Sequence, residues 1–221
     1  MNVSWRGPLQ EGITQRLLLL RHAEPSAHSR GRCYGKLDLP LSNTGRTQAT
    51  QIGQLLATLS HTPITTVFSS PKARAKETAA LVLEQFAPRE HPLELHFDQR
   101  FSEIDFGDFE GLLYSEAQAL HPEVFTQWME TPTEVCFPNG ESHRDMRVRI
   151  HDACRALDAL PSGQVILLVT HAGVIRTILS QALGLAYKHM FRIDQDYAGL
   201  SCIDRYAQGE SVLRTLNWGC A

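Results

Sequence analysis

Leu17-Leu18-Leu19-Leu20-Arg21-His22-Ala23-Glu24-Pro25 is the stretch from which the rest of the chain is read. Four consecutive leucines bounded by polar residues fit a short strand buried on both faces, as in the middle of a parallel sheet. The run is too short for a core helix and far too short to cross a membrane. Arg21 and His22 follow where that strand should end, and Pro25 stops any regular continuation. In open α/β sheets, ligands bind in the crevice beyond the carboxyl ends of the strands. A cation beside an imidazole at such a place suits an anion that a nucleophile attacks. A surface Arg-His pair in a loop is the plainer reading of an isolated dipeptide, so the remaining sequence must decide.

The same arrangement returns near the C-terminus. Val165-Ile166-Leu167-Leu168-Val169-Thr170 is a second fully buried strand, followed by His171-Ala172-Gly173 and a helix from Val174 to Leu183 closed by Gly184. Between the two, Ser26 to Asn43 is a loop rich in Gly, Ser, Pro and charge. Thr44 or Asn43 could cap a helix from about Arg46 to Leu59, with Ala49, Ile52, Leu55, Leu56 and Leu59 at helical spacing. Ile64 to Phe68, β-branched and aromatic, reads as the next strand. Ser70 then suits a helix N-cap and Pro71 the first helical position, with Ala79, Ala80, Leu83 and Phe86 continuing a helix that ends before Pro88. Lys72 and Arg74 in its first turn oppose the helix dipole, a conflict that a bound anion would remove. Arg74 fits that anion; Lys72 reads as pointing into solvent.

His91 to Phe97 supplies a third strand, and Glu103-Ile104-Asp105-Phe106-Gly107-Asp108-Phe109-Glu110-Gly111 sets four carboxylates among aromatics. From Leu112 to Pro138 the pattern is broken and aromatic (Tyr114, Phe125, Trp128, Phe137), as expected of short helices inserted over a sheet. Ser142 with Asp145 resembles a capping box opening a helix to about Leu160, with Met146, Ile150, Ala153, Cys154 and Leu157 inward. Gly199 to Tyr206 and Ser211 to Leu216, separated by a Gly209 turn, close the chain as paired strands. The expected architecture is α/β: a three-layer α/β/α arrangement with a mostly parallel central sheet flanked by helices and a small helical cap insertion at about 112–138.

Composition narrows the function classes. With 43% hydrophobic and 20% charged residues over 221 positions, the chain suits one globular core. A net charge of −3 gives no global basic surface for nucleic acid, though a local cationic pocket is compatible with it. Cys33, Cys136, Cys154, Cys202 and Cys220 are widely spaced without a C-x-x-C pair, so neither a disulfide framework nor a zinc site is expected, and a reducing cytoplasm is the natural location. Residues 1–16 have no apolar run, so they read as a loosely ordered lead-in rather than a signal peptide, with 17–221 as a single domain. Edge strands near the C-terminus could be exposed or paired, which leaves a homodimer open.

Four motifs now stand in order: Leu19-Leu20-Arg21-His22-Ala23-Glu24, Ser69-Ser70-Pro71-Lys72-Ala73-Arg74, the Glu103 to Gly111 run, and Thr170-His171-Ala172-Gly173. Together they resemble the histidine phosphatase (phosphoglycerate mutase-like) superfamily over roughly residues 16–217, with Ala23 in place of its more usual glycine. The resemblance implies that His22 is the nucleophile that becomes phosphohistidine. It implies that Arg21, Arg74 and His171 hold phosphoryl oxygens and that Glu103 is the proton donor. Ser70 reads as a helix cap for which the resemblance allows a second role near the site, and Tyr34 and Gly35, with Arg32 and Lys36, lie in the loop where the family places substrate and phosphate contacts. The chemistry wants these types: neutral imidazole is a competent nucleophile near pH 7, and planar arginine donors suit a transferring phosphoryl group. No metal or other cofactor is implied. Trp128, Phe106 and Phe109 fit cap packing, whereas His28 could fold over the site. The classical mutases carry Glu-Arg-x-Tyr-Gly around the acid; Ser102-Glu103-Ile104-Asp105-Phe106-Gly107 departs from it and resembles the phosphatase branch, including α-ribazole phosphatase-like proteins. The implied activity is metal-independent hydrolysis of a small phosphorylated metabolite, with mutase-type phosphoryl transfer or a non-catalytic phospho-ligand module as the alternatives.

Overall fold

A computed structural model describes residues 7–58, 63–86 and 93–219. Six strands form one sheet: β1 (Ile13–Arg21), β2 (Thr66–Ser69), β3 (Leu95–Phe97), β4 (Gln164–Thr170), β5 (Leu200–Tyr206) and β6 (Ser211–Trp218). Their spatial order is β3-β2-β4-β1-β5-β6, parallel from β3 to β1 and antiparallel across β5 and β6. The leucine run therefore lies at the centre of the sheet, as a strand buried on both faces should. Leu17 and Leu19 face one layer and Leu18 and Leu20 the other, all at most 3% exposed. Burial of this kind contributes roughly 2 kcal/mol per leucine.

The two faces carry separate helical layers. Helices α1 (Asn43–Ala57) and α2 (Ala73–Leu83) cover Leu18, Leu20, Leu167 and Val169 with Ala49, Ile52, Ala75 and Ala79. Helices α5 (His143–Asp158) and α6 (Ala172–Ala182) cover Leu17, Leu19, Ile166 and Leu168 with Met146, Ile150, Val174 and Ile178. Between β3 and α5 come the short helices α3 (Tyr114–Leu120) and α4 (Pro122–Glu130). Trp128 of α4 meets Phe106 at 5.6 Å and Phe137 at 5.3 Å between ring centroids, and Phe109 meets Phe137 at 5.5 Å. These aromatics pack the inserted helices onto the core.

Local starts differ from the sequence expectation where a distant partner intervenes. Helix α1 is capped by Ser42, whose Oγ accepts from Gly45 N at 2.9 Å, and not by Asn43 or Thr44. Gly45 is required there because a Cβ would fall on the Glu24 carbonyl. Helix α2 begins at Ala73 and not at Pro71, because Asp38 Oδ1 reaches across to take Ala73 N at 2.6 Å while Ser70 is engaged elsewhere. At α5, Ser142 caps as expected, but Asp145 receives the Ser142 hydroxyl at 2.6 Å in place of the backbone N–H of a full capping box. Strand β1 extends back to Ile13, so residues 13–16 of the expected lead-in belong to the sheet. A buried ion pair anchors them: Arg16 Nε meets Asp204 Oδ1 at 2.6 Å, and Arg214 Nε reaches Asp204 Oδ2 at 2.7 Å. Residues 1–6, the expected helix end at Leu59, His61, Pro88, the expected strand start at His91, and Cys220 lie outside the described residues.

Candidate active site

Register builds the site. Arg21 pairs with Thr170 across β1 and β4, while Ser69 of β2 pairs with Val169. The next residues of three parallel strands, His22, His171 and Ser70, therefore emerge side by side at the carboxyl edge. His22 N donates to Thr170 O at 2.8 Å and Ser70 N to Val169 O at 3.0 Å, which fixes the backbone of each. The two imidazole rings lie 5.1 Å apart, edge to face.

Hydrogen bonding sets the tautomers. His22 Nδ1 lies 2.8 Å from Ala23 O, and a carbonyl only accepts, so Nδ1 carries the proton and Nε2 keeps its lone pair. His171 Nε2 lies 2.8 Å from Ser70 Oγ. That hydroxyl accepts from Lys72 N at 3.3 Å, and where it donates its own proton to Nε2 the His171 proton sits on Nδ1. Both rings are almost fully buried. Burial, then the nearby Arg74, holds the pKa of each well below the ordinary histidine value; Arg21 acts in the same sense on both. Both are neutral at pH 7.

Two arginines flank the rings. Arg74 is fully buried, its Nη1 donating to Leu37 O at 2.9 Å and its Nη2 to Gly35 O at 2.8 Å. Arg21 Nη1 donates to Gln195 O at 2.6 Å. Among the described residues neither forms an ion pair with a carboxylate, and Arg21 Nε, Arg74 Nε and His171 Nδ1 are buried without a hydrogen-bond acceptor. Leaving such groups unpaired costs about 1–3 kcal/mol each, more when charged. An anion with several acceptor oxygens would satisfy all three.

Of the four carboxylates in the acidic run, three have other work. Asp105 pairs with Lys36 at 3.2 Å, and Asp108 holds Asn139. Glu110 accepts the backbone N–H groups of Gly35, Lys36, Leu37 and Phe106 at 2.6–3.1 Å. Glu103 accepts only backbone N–H groups, from Ile104 at 3.0 Å and from Gly173 at 3.1 Å. Gly173 links it to the His171 motif. Arg149 braces the backbone behind the acid through Arg100 O at 2.6 Å, Ser102 O at 2.8 Å and Glu103 O at 3.3 Å.

The loop residues play supporting parts. Gly35 is held by Glu110 through its N–H and holds Arg74 through its carbonyl, and a Cβ there would overlap Ile104 O. Tyr34 lies against Arg74, its ring centroid 5.2 Å from the guanidinium carbon. Arg32 and Lys36 pair with Gly111 O and Asp105. Lys72, expected in solvent, is half-buried and donates from Nζ to Lys36 O at 2.7 Å. His28 is exposed. Tyr197 was not singled out by sequence: its ring stacks under Arg21 at 4.0 Å and its hydroxyl meets that of Tyr34 at 2.8 Å. Nothing local in Asp196-Tyr197-Ala198 signals this, because the contact spans 163 positions. Glu110 was likewise legible only as one acid among four. Among the described residues, no His/Cys/Asp/Glu group suits a metal ion and no helix is long and apolar enough to cross a membrane.

An α/β sheet with a free imidazole lone pair and unpaired cationic donors at its carboxyl edge offers an anion both donors and a nucleophile. The chain belongs to the histidine phosphatase superfamily (branch 1), whose family model matches residues 17–218. It is 32% identical over 213 residues to a bifunctional protein of Mycobacterium tuberculosis, covering 96% of this chain and 56% of that protein; it thus spans little more than half the length of that relative. It is 30% identical to phosphoserine phosphatase 1 of Hydrogenobacter thermophilus over 205 residues, 93% of each chain. The crystal structure of the α-ribazole phosphatase from Shigella flexneri superposes with a TM-score of 0.81 at 27% identity, covering 92% of this chain and 96% of that one.

Proposed function

We propose that the protein is a phosphomonoester hydrolase that works through a phosphohistidine on His22. The observation that carries this reading is the tautomer-locked His22 beside buried Arg21, Arg74 and His171 nitrogens that lack acceptors. In the first step His22 Nε2 attacks phosphorus, the P–N bond forms and the P–O ester bond breaks. Glu103 gives its proton to the departing alkoxide. In the second step water attacks phosphorus, Glu103 takes its proton, the P–N bond breaks and phosphate leaves with His22 restored. Arg21, Arg74 and His171 Nδ1–H bind the phosphoryl oxygens throughout, so that charge develops against donors already in place. Cationic charge at the phosphoryl group comes from guanidinium groups, and the reading requires no metal.

The activities named for similar proteins, phosphoserine phosphatase and α-ribazole phosphatase, support a small phosphorylated metabolite as substrate. The aromatic-packed insertion of α3 and α4 is the part suited to selecting it. Cys33, Cys136, Cys154 and Cys202 are free thiols, which favours a reducing compartment. A homodimer remains part of this reading, to be tested by sedimentation.

The test is hydrolysis of a panel of phosphomonoesters with EDTA present, including 3-phosphoglycerate and 2,3-bisphosphoglycerate, together with rapid quench for acid-labile protein phosphate. Turnover that disappears in His22→Ala, with a trapped phosphohistidine in the parent, is the expected result. Exchange between phosphoglycerates with little phosphate release would make the protein a mutase. Phosphate binding with no turnover of any ester would make it a binding module.

A further inference from the structure

We infer that Tyr197, joined to Tyr34, is a positioning residue that holds the two arginines of the phosphoryl site. The inference rests on the phosphatase reading for its catalytic consequence, but its geometry stands apart from it. The two phenol oxygens lie 2.8 Å apart, so the rings meet at their tips and form one wall. Arg21 lies over one ring at 4.0 Å and Arg74 over the other at 5.2 Å. The Tyr197 ring also lies 5.7 Å from that of His22. A guanidinium stacked on an aromatic face has its plane fixed, and its edge N–H groups then point along that plane. Arg21 has one Nη bond, to Gln195 O, so the Tyr197 ring is what remains to orient its Nε–H, whereas for Arg74 the Tyr34 ring adds to the bonds that both Nη groups make to Leu37 O and Gly35 O. The phenol pair has two protons and uses one between its members. The other is left for an outside acceptor.

Tyr197 is itself held in a strained turn. Ala198 has φ 55° and Asn217 φ 47°, left-handed values that side chains larger than glycine adopt at a cost. Asn217 Oδ1 accepts Asp196 N at 2.7 Å and its Nδ2 donates to Asp196 Oδ2 at 2.8 Å, clamping the turn. Gly199 keeps this clamp intact, since a Cβ would fall on Asn217 Oδ1, the atom that the bond from Asp196 N holds in place. The turn is then stitched to the motif it serves: Arg21 N donates to Gly199 O at 3.0 Å and Ala198 N to His22 O at 3.3 Å. Strain at Ala198 and Asn217, beside Gly199, is concentrated where Tyr197 meets Arg21.

The test compares Tyr197→Phe, Tyr197→Leu, Tyr34→Phe and the double Phe variant in the full chain. Two readings are taken: inorganic phosphate affinity by calorimetry, and kcat and KM for an aryl phosphomonoester. Tyr197→Leu removes the ring under Arg21 and should weaken phosphate binding about ten-fold or more, whereas Tyr197→Phe, which keeps the ring, should recover most of that loss. Tyr34→Phe and Tyr197→Phe break the same hydrogen bond, so the double variant should be no worse than the weaker single one. Phosphate affinity unchanged in a folded Tyr197→Leu, Leu and Phe equally impaired, or additive Phe effects would each overturn the inference. If Tyr197→Leu does not fold, the Phe cycle decides alone. A parent that binds phosphate without hydrolysing any ester would sink the phosphatase reading but leave the phosphate affinities to judge the tyrosines; a parent that binds no phosphate would overturn both.

Discussion

Replacing Gly173 by alanine should separate the acid from the fold. Gly173 lies in the first turn of α6, two residues after His171, and its N–H donates to Glu103 Oε2 at 3.1 Å. A Cβ on Gly173 would overlap Glu103 Oε1 and sit 3.0 Å from Met146 Cε. The overlapped atom is the tip of a flexible side chain, so relief comes by turning the carboxylate aside while the backbone stays. The displacement needed is about 1 Å, and misplacing a catalytic group by that much can cost about 100-fold in rate. Stability should change little, because alanine is favoured over glycine in a helix by roughly 1 kcal/mol, which offsets the local crowding. The assay is kcat for two esters, an alkyl phosphate whose leaving alkoxide needs a proton and an aryl phosphate whose leaving group does not. The alkyl ester should slow about 100-fold and the aryl ester far less, at nearly constant melting temperature. Equal loss on both esters, or none on the alkyl one, would refute Glu103 as the proton donor held by this contact.

The remaining expectations concern stability and pH. Asp204→Ala strands buried Arg16 beside Arg214 and should cost about 3–5 kcal/mol in urea unfolding, with activity per folded molecule unchanged. Glu110→Ala frees the loop backbone that holds Arg74, so about 2–3 kcal/mol of stability should go together with phosphate affinity; loss of stability alone would contradict the link. His22, His143 and His171 have folded pKa values below the ordinary 6.5, His143 near 4, all chiefly through burial. Below about pH 6.5 the unfolded chain takes up protons that the native one refuses, so stability should change little from pH 7.5 to 6.5 and then fall towards pH 5 by up to roughly 1.4 kcal/mol per unit for each histidine. A urea midpoint that rises on acidification would refute their neutral burial.

What the sequence disclosed and what it hid differ in range. Leu17 to Leu20 and Val165 to Thr170 were legible because central parallel strands bury both faces and leave unbroken apolar runs. The echo between His22 and His171 was visible for the same reason, and the register of β1 on β4 turns that echo into neighbouring rings. Caps were less legible. Ser70 has the chemistry of a helix cap, yet His171 claims its hydroxyl and Asp38 caps the helix from a loop 35 positions away. Tyr197 and Glu110 act chiefly through such distant contacts, and no local pattern separates them from ordinary loop residues. Glu103 was selected by motif position, and what sets it apart in the structure, its contact with Gly173 of the His171 motif while Asp105 and Asp108 hold other side chains, could not be read from the acidic run itself.

The tying of the Arg21 and His22 amides to the neighbouring central strands has a consequence for how the protein breathes. His22 N–H is bonded to Thr170 O and Arg21 N–H to Gly199 O at the carboxyl end of β1, where His22, Thr170 and Leu200 are buried. Those protons should exchange with solvent only when the whole sheet opens, so their protection reads the global free energy of unfolding. The loop bearing Lys36 and Leu37, both exposed, should exchange through much smaller openings. The proposed nucleophile is thus tied to a slowly opening part of the molecule, while the neighbouring loop belongs to a faster one.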